Sequence, residues 1–343
     1  MHKRRFTALF AGLLASAAIG LPLPAAAAPY KDEYKLSTVL GEAFPWGWGA
    51  KRWADLVAEK TEGRIKIKVY PGTSLVSGDQ TKEFTALRQG IIDIAVGSTI
   101  NWSPQVKELN LFALPFLMPD HKAIDALTQG RVGKKMFDLL AERDVVPLAW
   151  GENGFREVSN SKKPIRTPED LKGMKMRVVG SPLFLATFTA LGANPTQMSW
   201  ADAQPAMATG AVDGQENPLA VFNAAKLHTV GQKHLTLWGY VADPLIFVVN
   251  KNVWNSWSAA DQKLVREAAL QAAQEQTARA RAGIAAGDDA TLKEIEGNGV
   301  AVVRLNEAER DAFRKATASV YKEWAGKVGN DLVKQAEEDI ARR

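Results

Sequence analysis

Leu87-Arg88-Gln89-Gly90-Ile91-Ile92-Asp93 and Met207-Ala208-Thr209-Gly210-Ala211-Val212-Asp213 share one pattern, apolar-x-x-Gly-x-apolar-Asp, at widely separated places in the chain. In each copy the glycine reads as the residue that closes a helix, and the apolar pair after it as the opening of a buried strand. Each copy also follows a helix–turn–strand unit, one beginning after Gly63 and the other after Gly173. Copies so far apart predict two topologically similar lobes and not a repeat array, whose period is about 20–50 residues.

The same grammar extends outward. Trp46 to Thr61 carries apolar residues at helical spacing, after which Ile65, Ile67 and Val69 alternate as a strand does. Thr81 to Gln89 predicts a short helix, Ile91 to Val96 a strand and Val145 to Trp150 another. Thr167-Pro168-Glu169-Asp170 supplies a cap, a proline and an acid for a helical turn before the strand of Met174, Met176 and Val178. Further on, Leu245 to Asn250 predicts a strand, and Ser258 with Asp261 caps a long Ala-rich helix expected to run to about Glu296 with bends at Gly283 and Gly287. Val300 to Arg304 adds a strand, and Asn306 with Glu309 opens another capped helix. Helices and strands in alternation give an α/β protein, and a groove between its two lobes is a natural place for a ligand.

Composition removes many chemistries. The 343 residues include no cysteine, so disulfides, iron–sulfur ligation and thiol nucleophiles are excluded. His2-Lys3-Arg4-Arg5, the apolar stretch Phe6 to Leu23 and the small residues Pro24 to Ala28 read as a secretory signal peptide over residues 1–27, cleaved near Ala27, which places the mature protein in the periplasm. Its loss takes most of the net charge of +5, leaving 40 basic against 38 acidic residues interleaved with one another. Nucleic acid binding, which needs a concentrated basic footprint, is not expected. Phosphate-loop, dinucleotide, zinc-protease and hydrolase motifs are missing and the four histidines are scattered, so no cofactor, metal or catalytic residue is expected.

What stands out is polar chemistry at strand edges. Arg177 lies in a strand otherwise apolar, either paired to a structural acid or aimed at an anion. Arg156 follows a strand within the turn-rich Gly151-Glu152-Asn153-Gly154-Phe155-Arg156, where binding residues collect. Asn217 sits in Asp213-Gly214-Gln215-Glu216-Asn217-Pro218, just after an apolar strand start. The three could converge at the groove. Glu42, Trp46, Trp102, Trp200 and Tyr240 are candidates for its far wall, although Trp is as often core as ligand platform.

These residues carry a resemblance. Thr61-Glu62-Gly63-Arg64-Ile65, Tyr70-Pro71, Gly90-Ile91-Ile92-Asp93, Leu114-Pro115-Phe116, Leu171-Lys172-Gly173-Met174-Lys175-Met176-Arg177, Leu191-Gly192-Ala193 and Ala211 to Pro218 occur in order across the chain. Together they resemble the periplasmic solute-binding proteins of tripartite ATP-independent periplasmic (TRAP) transporters, dicarboxylate-binding family. The resemblance implies a two-lobed α/β fold of the periplasmic-binding-protein kind with a ligand cleft and a long lobe-spanning helix. Residues 28–153 with 243–282 would form lobe I, and 154–242 with 283–343 lobe II. It implies that Arg177 forks onto a ligand carboxylate, that Arg156 adds a second cationic contact and Asn217 a hydrogen bond, and that Trp200 packs beside the ligand. Small and large membrane subunits would be the partners. Ser98 and Asn101 stand where sialic-acid-binding members carry charged groups, which argues against that ligand. A C4-dicarboxylate or similar organic acid is the expected solute, with an aromatic or hydroxy monocarboxylate as the alternative. A secreted enzyme using the same cleft is a rival of another class, and no general base near the arginines supports it.

Overall fold

The structure, a computed structural model, describes residues 30–284 and 287–343, so the leader lies outside the described residues. Nine strands form one sheet: β1 (Tyr34–Ser37), β2 (Ile67–Tyr70), β3 (Ile94–Ser98), β4 (Val145–Asn160), β5 (Lys175–Val178), β6 (Asn194–Gln197), β7 (Gly214–Pro218), β8 (His234–Asn250) and β9 (Ala301–Arg304). Their order is β2-β1-β3-β8-β4-β7-β5-β6, with β9 alongside β8. At one end parallel β2-β1-β3 is followed by antiparallel β8; at the other, parallel β6-β5-β7 is followed by antiparallel β4. The two halves are thus built alike, with β4 and β8 exchanging roles.

The repeated heptapeptide has one structural job in both halves. Gly90 and Gly210 have φ of 75° and 73°, a left-handed conformation that costs glycine nothing. Asp93 and Asp213 then each accept a hydrogen bond from the backbone of the strand beside them, Asp93 from Lys35 N at 2.8 Å and Asp213 from Lys175 N at 2.9 Å. The carboxylate thereby fixes where β3 meets β1 and where β7 meets β5.

Strands β4 and β8, of 16 and 17 residues, are three times the usual strand length of about 5–6 residues. The far end of β8 pairs with β3 through Leu245 to Val249, and its near end with β9 through His234 to Leu237. The segment Gly151 to Arg156, expected to be a turn, is therefore strand. Its glycines are absorbed by register irregularities at Pro147/Ala149, Glu152/Gly154 and Arg156/Val158, which bend and twist the ribbon as it passes from one half to the other. The expected lobe boundaries at 153/154 and 242/243 face each other in this stretch, where Gly154 pairs with Asp243.

The long helix is Ala259–Arg281, 23 residues or about 35 Å, and stops short of Glu296. Ala282 is extended, the Gly283 amide donates to Asp288, and a separate helix follows at Ala290–Gly297. Arg281 ends the helix against Glu152 and Asp125. Ala268, Ala269, Ala272 and Ala273 lie in one buried cluster with Trp53 and Val57 of the helix Pro45–Lys60. Among the described residues no helix is long and apolar enough to cross a membrane.

Candidate functional site

Twelve residues surround a narrow cavity of about 20 Å³ between the lobes. From the first half come Val39 and Leu40 after β1, Trp46, Gln80 and Asn101. From the second come Arg177 and Val179, Trp200 and Asn217. The shared strands contribute Asn153, Arg156 and Asp243. Of the ten residues singled out from the sequence, Arg177, Arg156, Asn217, Trp200, Trp46 and Asn101 are brought together here.

The two arginines differ. Arg177 is buried and forms no ion pair among the described residues. Its Nε and Nη2 both donate to the Met198 carbonyl, at 3.0 and 2.8 Å, which fixes the plane of the guanidinium and leaves the Nη1 side without a partner. The guanidinium carbon lies 5.8 Å from the Trp200 ring centroid. Burial pushes the Arg177 pKa down to about 10, with Glu216 pulling it up and Arg156 pressing it further down. It stays charged at neutral pH, and a carboxylate placed on it would relieve the cost of its burial.

Arg156 is already paired. Its Nε donates to Glu216 Oε2, its Nη2 to Glu216 Oε1 at 2.8 Å and Asn217 Oδ1 at 3.2 Å, and its Nη1 to Asp243 Oδ2 at 3.1 Å. Burial works to lower its pKa, but Glu216 and Asp243 outweigh it and raise it. Asp243 in turn accepts from Ser98 Oγ at 2.6 Å and Asn153 Nδ2 at 2.8 Å; burial holds its pKa above the usual carboxylate range against the pull of Arg156. The reading of an arginine paired to a structural acid, left open for Arg177, describes Arg156.

Four expected residues stand elsewhere. Glu42 is exposed on the turn before the helix Pro45–Lys60 and is not part of the cavity wall. Ser98 lies behind the wall, accepting from the Ile100 and Asn101 amides as a helix cap while donating to Asp243. Tyr240 is core: its hydroxyl donates to Glu216 at 3.0 Å and its ring packs 4.2 Å from that of Trp238. Trp102 is core as well, donating to the buried Glu83. The sequence reading missed Gln80, Asn153, Glu216 and Asp243. Glu216 had a signal, since it lies just after an apolar strand start and a buried acid requires a partner; Asp243, before the predicted strand Leu245 to Asn250, carried none.

A family model described as bacterial extracellular solute-binding protein, family 7, matches residues 36–327. A crystal structure of a TRAP periplasmic solute-binding protein from Ralstonia eutropha, with bound (S)-2-hydroxy-2-methyl-3-oxobutanoate ((S)-2-acetolactate), is 68% identical in sequence. It covers 92% of this chain and 100% of that one, with a TM-score of 0.91. The 2,3-diketo-L-gulonate-binding periplasmic protein of Escherichia coli is 33% identical over 84% of this chain and 86% of its own length. The C4-dicarboxylate-binding periplasmic protein of Rhodobacter capsulatus is 29% identical over 97% of each.

Proposed function

Because the chain belongs to the family 7 bacterial extracellular solute-binding proteins, the periplasmic binding proteins of TRAP transporters, we propose that it captures a short, branched 2-hydroxy or 2-oxo monocarboxylate of the acetolactate kind. One observation carries this choice: among the described residues, the cavity holds a single unpaired guanidinium, that of Arg177, while Arg156 is faced by both Glu216 and Asp243. One carboxylate finds a fork of donors on Arg177. A second would have to enter beside two acids with no cation left to receive it. The rest of the wall suits a small, partly apolar body, with Val39, Leu40, Val179 and Trp200 against it and Asn101, Asn153 and Asn217 to hydrogen-bond hydroxyl or oxo oxygens.

In this reading the C4-dicarboxylate expectation gives way to the hydroxy monocarboxylate one, in line with the acetolactate in the Ralstonia relative. The protein binds and releases its solute unchanged, is exported by residues 1–27, and delivers its cargo to the small and large membrane subunits. Charge-assisted hydrogen bonds contribute about 1.5–3 kcal/mol each, so a bidentate carboxylate with one further contact supplies much of the roughly 8 kcal/mol of micromolar binding.

Thermal-shift and calorimetric titration with racemic 2-acetolactate, 2-hydroxy-2-methylbutanoate, succinate and malate tests the proposal. The branched monocarboxylates should raise the melting temperature and bind at least tenfold tighter than the diacids. Tighter binding of succinate or malate overturns it.

A further inference from the structure

One of the residues around the cavity also joins the two halves of the molecule. Gln80, on the short helical turn Gln80–Lys82 of the first half, is 4% exposed and uses both ends of its amide. Nε2 donates to Asn101 Oδ1 at 2.7 Å within its own half, and Oε1 accepts from the Trp200 backbone amide at 3.0 Å in the other half. The turn is prepared for this. Asp79 Oδ1 accepts from both the amide and the hydroxyl of Thr81, and Gln105 donates to the Thr81 carbonyl at 2.7 Å.

Two neighbouring contacts cross the same seam. Ser103 Oγ lies 3.3 Å from Ser181 Oγ, both buried. Gly180 sits so close to Thr81 that a Cβ built on it would fall 2.3 Å from the Thr81 methyl, so the seam closes only over a residue without a side chain. Trp200 links the seam to the site, since the residue whose amide Gln80 holds is the one whose ring lies against Arg177.

We infer that Gln80 is the latch of the cleft, a positioning residue that holds the two lobes together through the Trp200 amide and so sets the Trp200 ring against a carboxylate-loaded Arg177. The inference rests on the proposed carboxylate site. The latch bond exists only when the lobes meet, so it acts on ligand escape and not on ligand entry. Gln80→Leu keeps roughly the size of the side chain and removes both hydrogen bonds. Gly180→Val wedges the same seam apart without touching Gln80.

Stopped-flow kinetics with 2-acetolactate should show the dissociation rate of Gln80→Leu raised about three- to tenfold, the factor that one neutral hydrogen bond is worth, and by more than the association rate changes. Gly180→Val should raise the dissociation rate at least as far as Gln80→Leu. The cysteine-free chain allows a second readout, the rate at which Ser103→Cys with Ser181→Cys oxidise to a cross-link across the seam. Adding Gln80→Leu should slow that cross-link. Equal dissociation and cross-linking rates with and without Gln80→Leu overturn the latch, as does a fall in ligand-free stability that accounts for the whole effect. If no carboxylate binds, the proposed function fails, and the latch is then judged on ligand-free cross-linking, where unchanged rates overturn it.

Discussion

At the scale of single residues the site turns on a contrast between two arginines that look alike in the sequence. Arg177 spends two donors on one neutral carbonyl and keeps its charge unmatched, whereas Arg156 is enclosed by Glu216, Asp243 and Asn217. Arg177→Lys should therefore weaken 2-acetolactate binding about tenfold or more by calorimetry, because an ammonium cannot present paired planar donors while also holding the Met198 carbonyl. The melting temperature of the free protein should change little, since lysine keeps the buried charge. Glu216→Gln frees part of the Arg156 charge. The ratio of succinate to 2-acetolactate affinity should rise several-fold; an unchanged ratio would mean that Glu216 does not set the preference for one carboxylate. Arg177 itself was legible, because an arginine in an apolar strand must be answered by something. Which arginine had its answer inside the protein was not, since Glu216 and Asp243 reach Arg156 from two different strands.

Among the elements, the repeated apolar-x-x-Gly-x-apolar-Asp unit proved the most informative stretch of the chain. Its aspartates are a matched pair of strand pins, and only one of them supports the site: Asp213 holds the amide of Lys175, two residues before Arg177 on β5, while Asp93 holds Lys35 on β1. Asp93→Ala and Asp213→Ala should both destabilise the protein, by about 1–3 kcal/mol in urea denaturation, through the orphaned backbone donor. Asp213→Ala alone should also weaken 2-acetolactate binding, and equal effects on affinity would show that β5 is held by other contacts. Strand β4 teaches the opposite lesson. Gly151-Glu152-Asn153-Gly154 carries turn chemistry by composition, yet β8 pairs with it throughout, and tertiary pairing overrode local propensity. The long helix likewise ends at Arg281, where the ion pairs to Glu152 and Asp125 fix its end, and not at the expected Glu296.

For the molecule as a whole, the shared strands make one sheet of two halves, and the buried acids beneath it tie stability to pH. Among the described residues the fully buried Glu83 has the Ser37 hydroxyl and the Trp102 indole as its side-chain partners, and burial pushes its pKa up to about 7. Glu157 is pushed up to about 7 by burial too, against the pull of the Gly239 and Trp238 amides. An acid whose pKa is raised on folding binds its proton more tightly in the native state. Its contribution is complete below the unfolded value and is lost as pH rises through about 7. Glu83→Gln should therefore gain stability relative to the wild type between about pH 5 and pH 8, by on the order of 1–3 kcal/mol in urea denaturation. A difference that stays flat with pH would show that Glu83 ionises normally. The sequence by itself determined the α/β class, the twofold plan, the caps and the family resemblance, because periodicity, glycine turns and cap chemistry act between residues a few positions apart. Only the tertiary structure decided that the strands run unbroken between the lobes, that Arg156 is neutralised while Arg177 is not, that Glu42 and Tyr240 stand away from the cavity, and that Gln80 meets Trp200. Each of these depends on which distant side chains share one buried, low-dielectric space, and chain order does not encode that proximity locally.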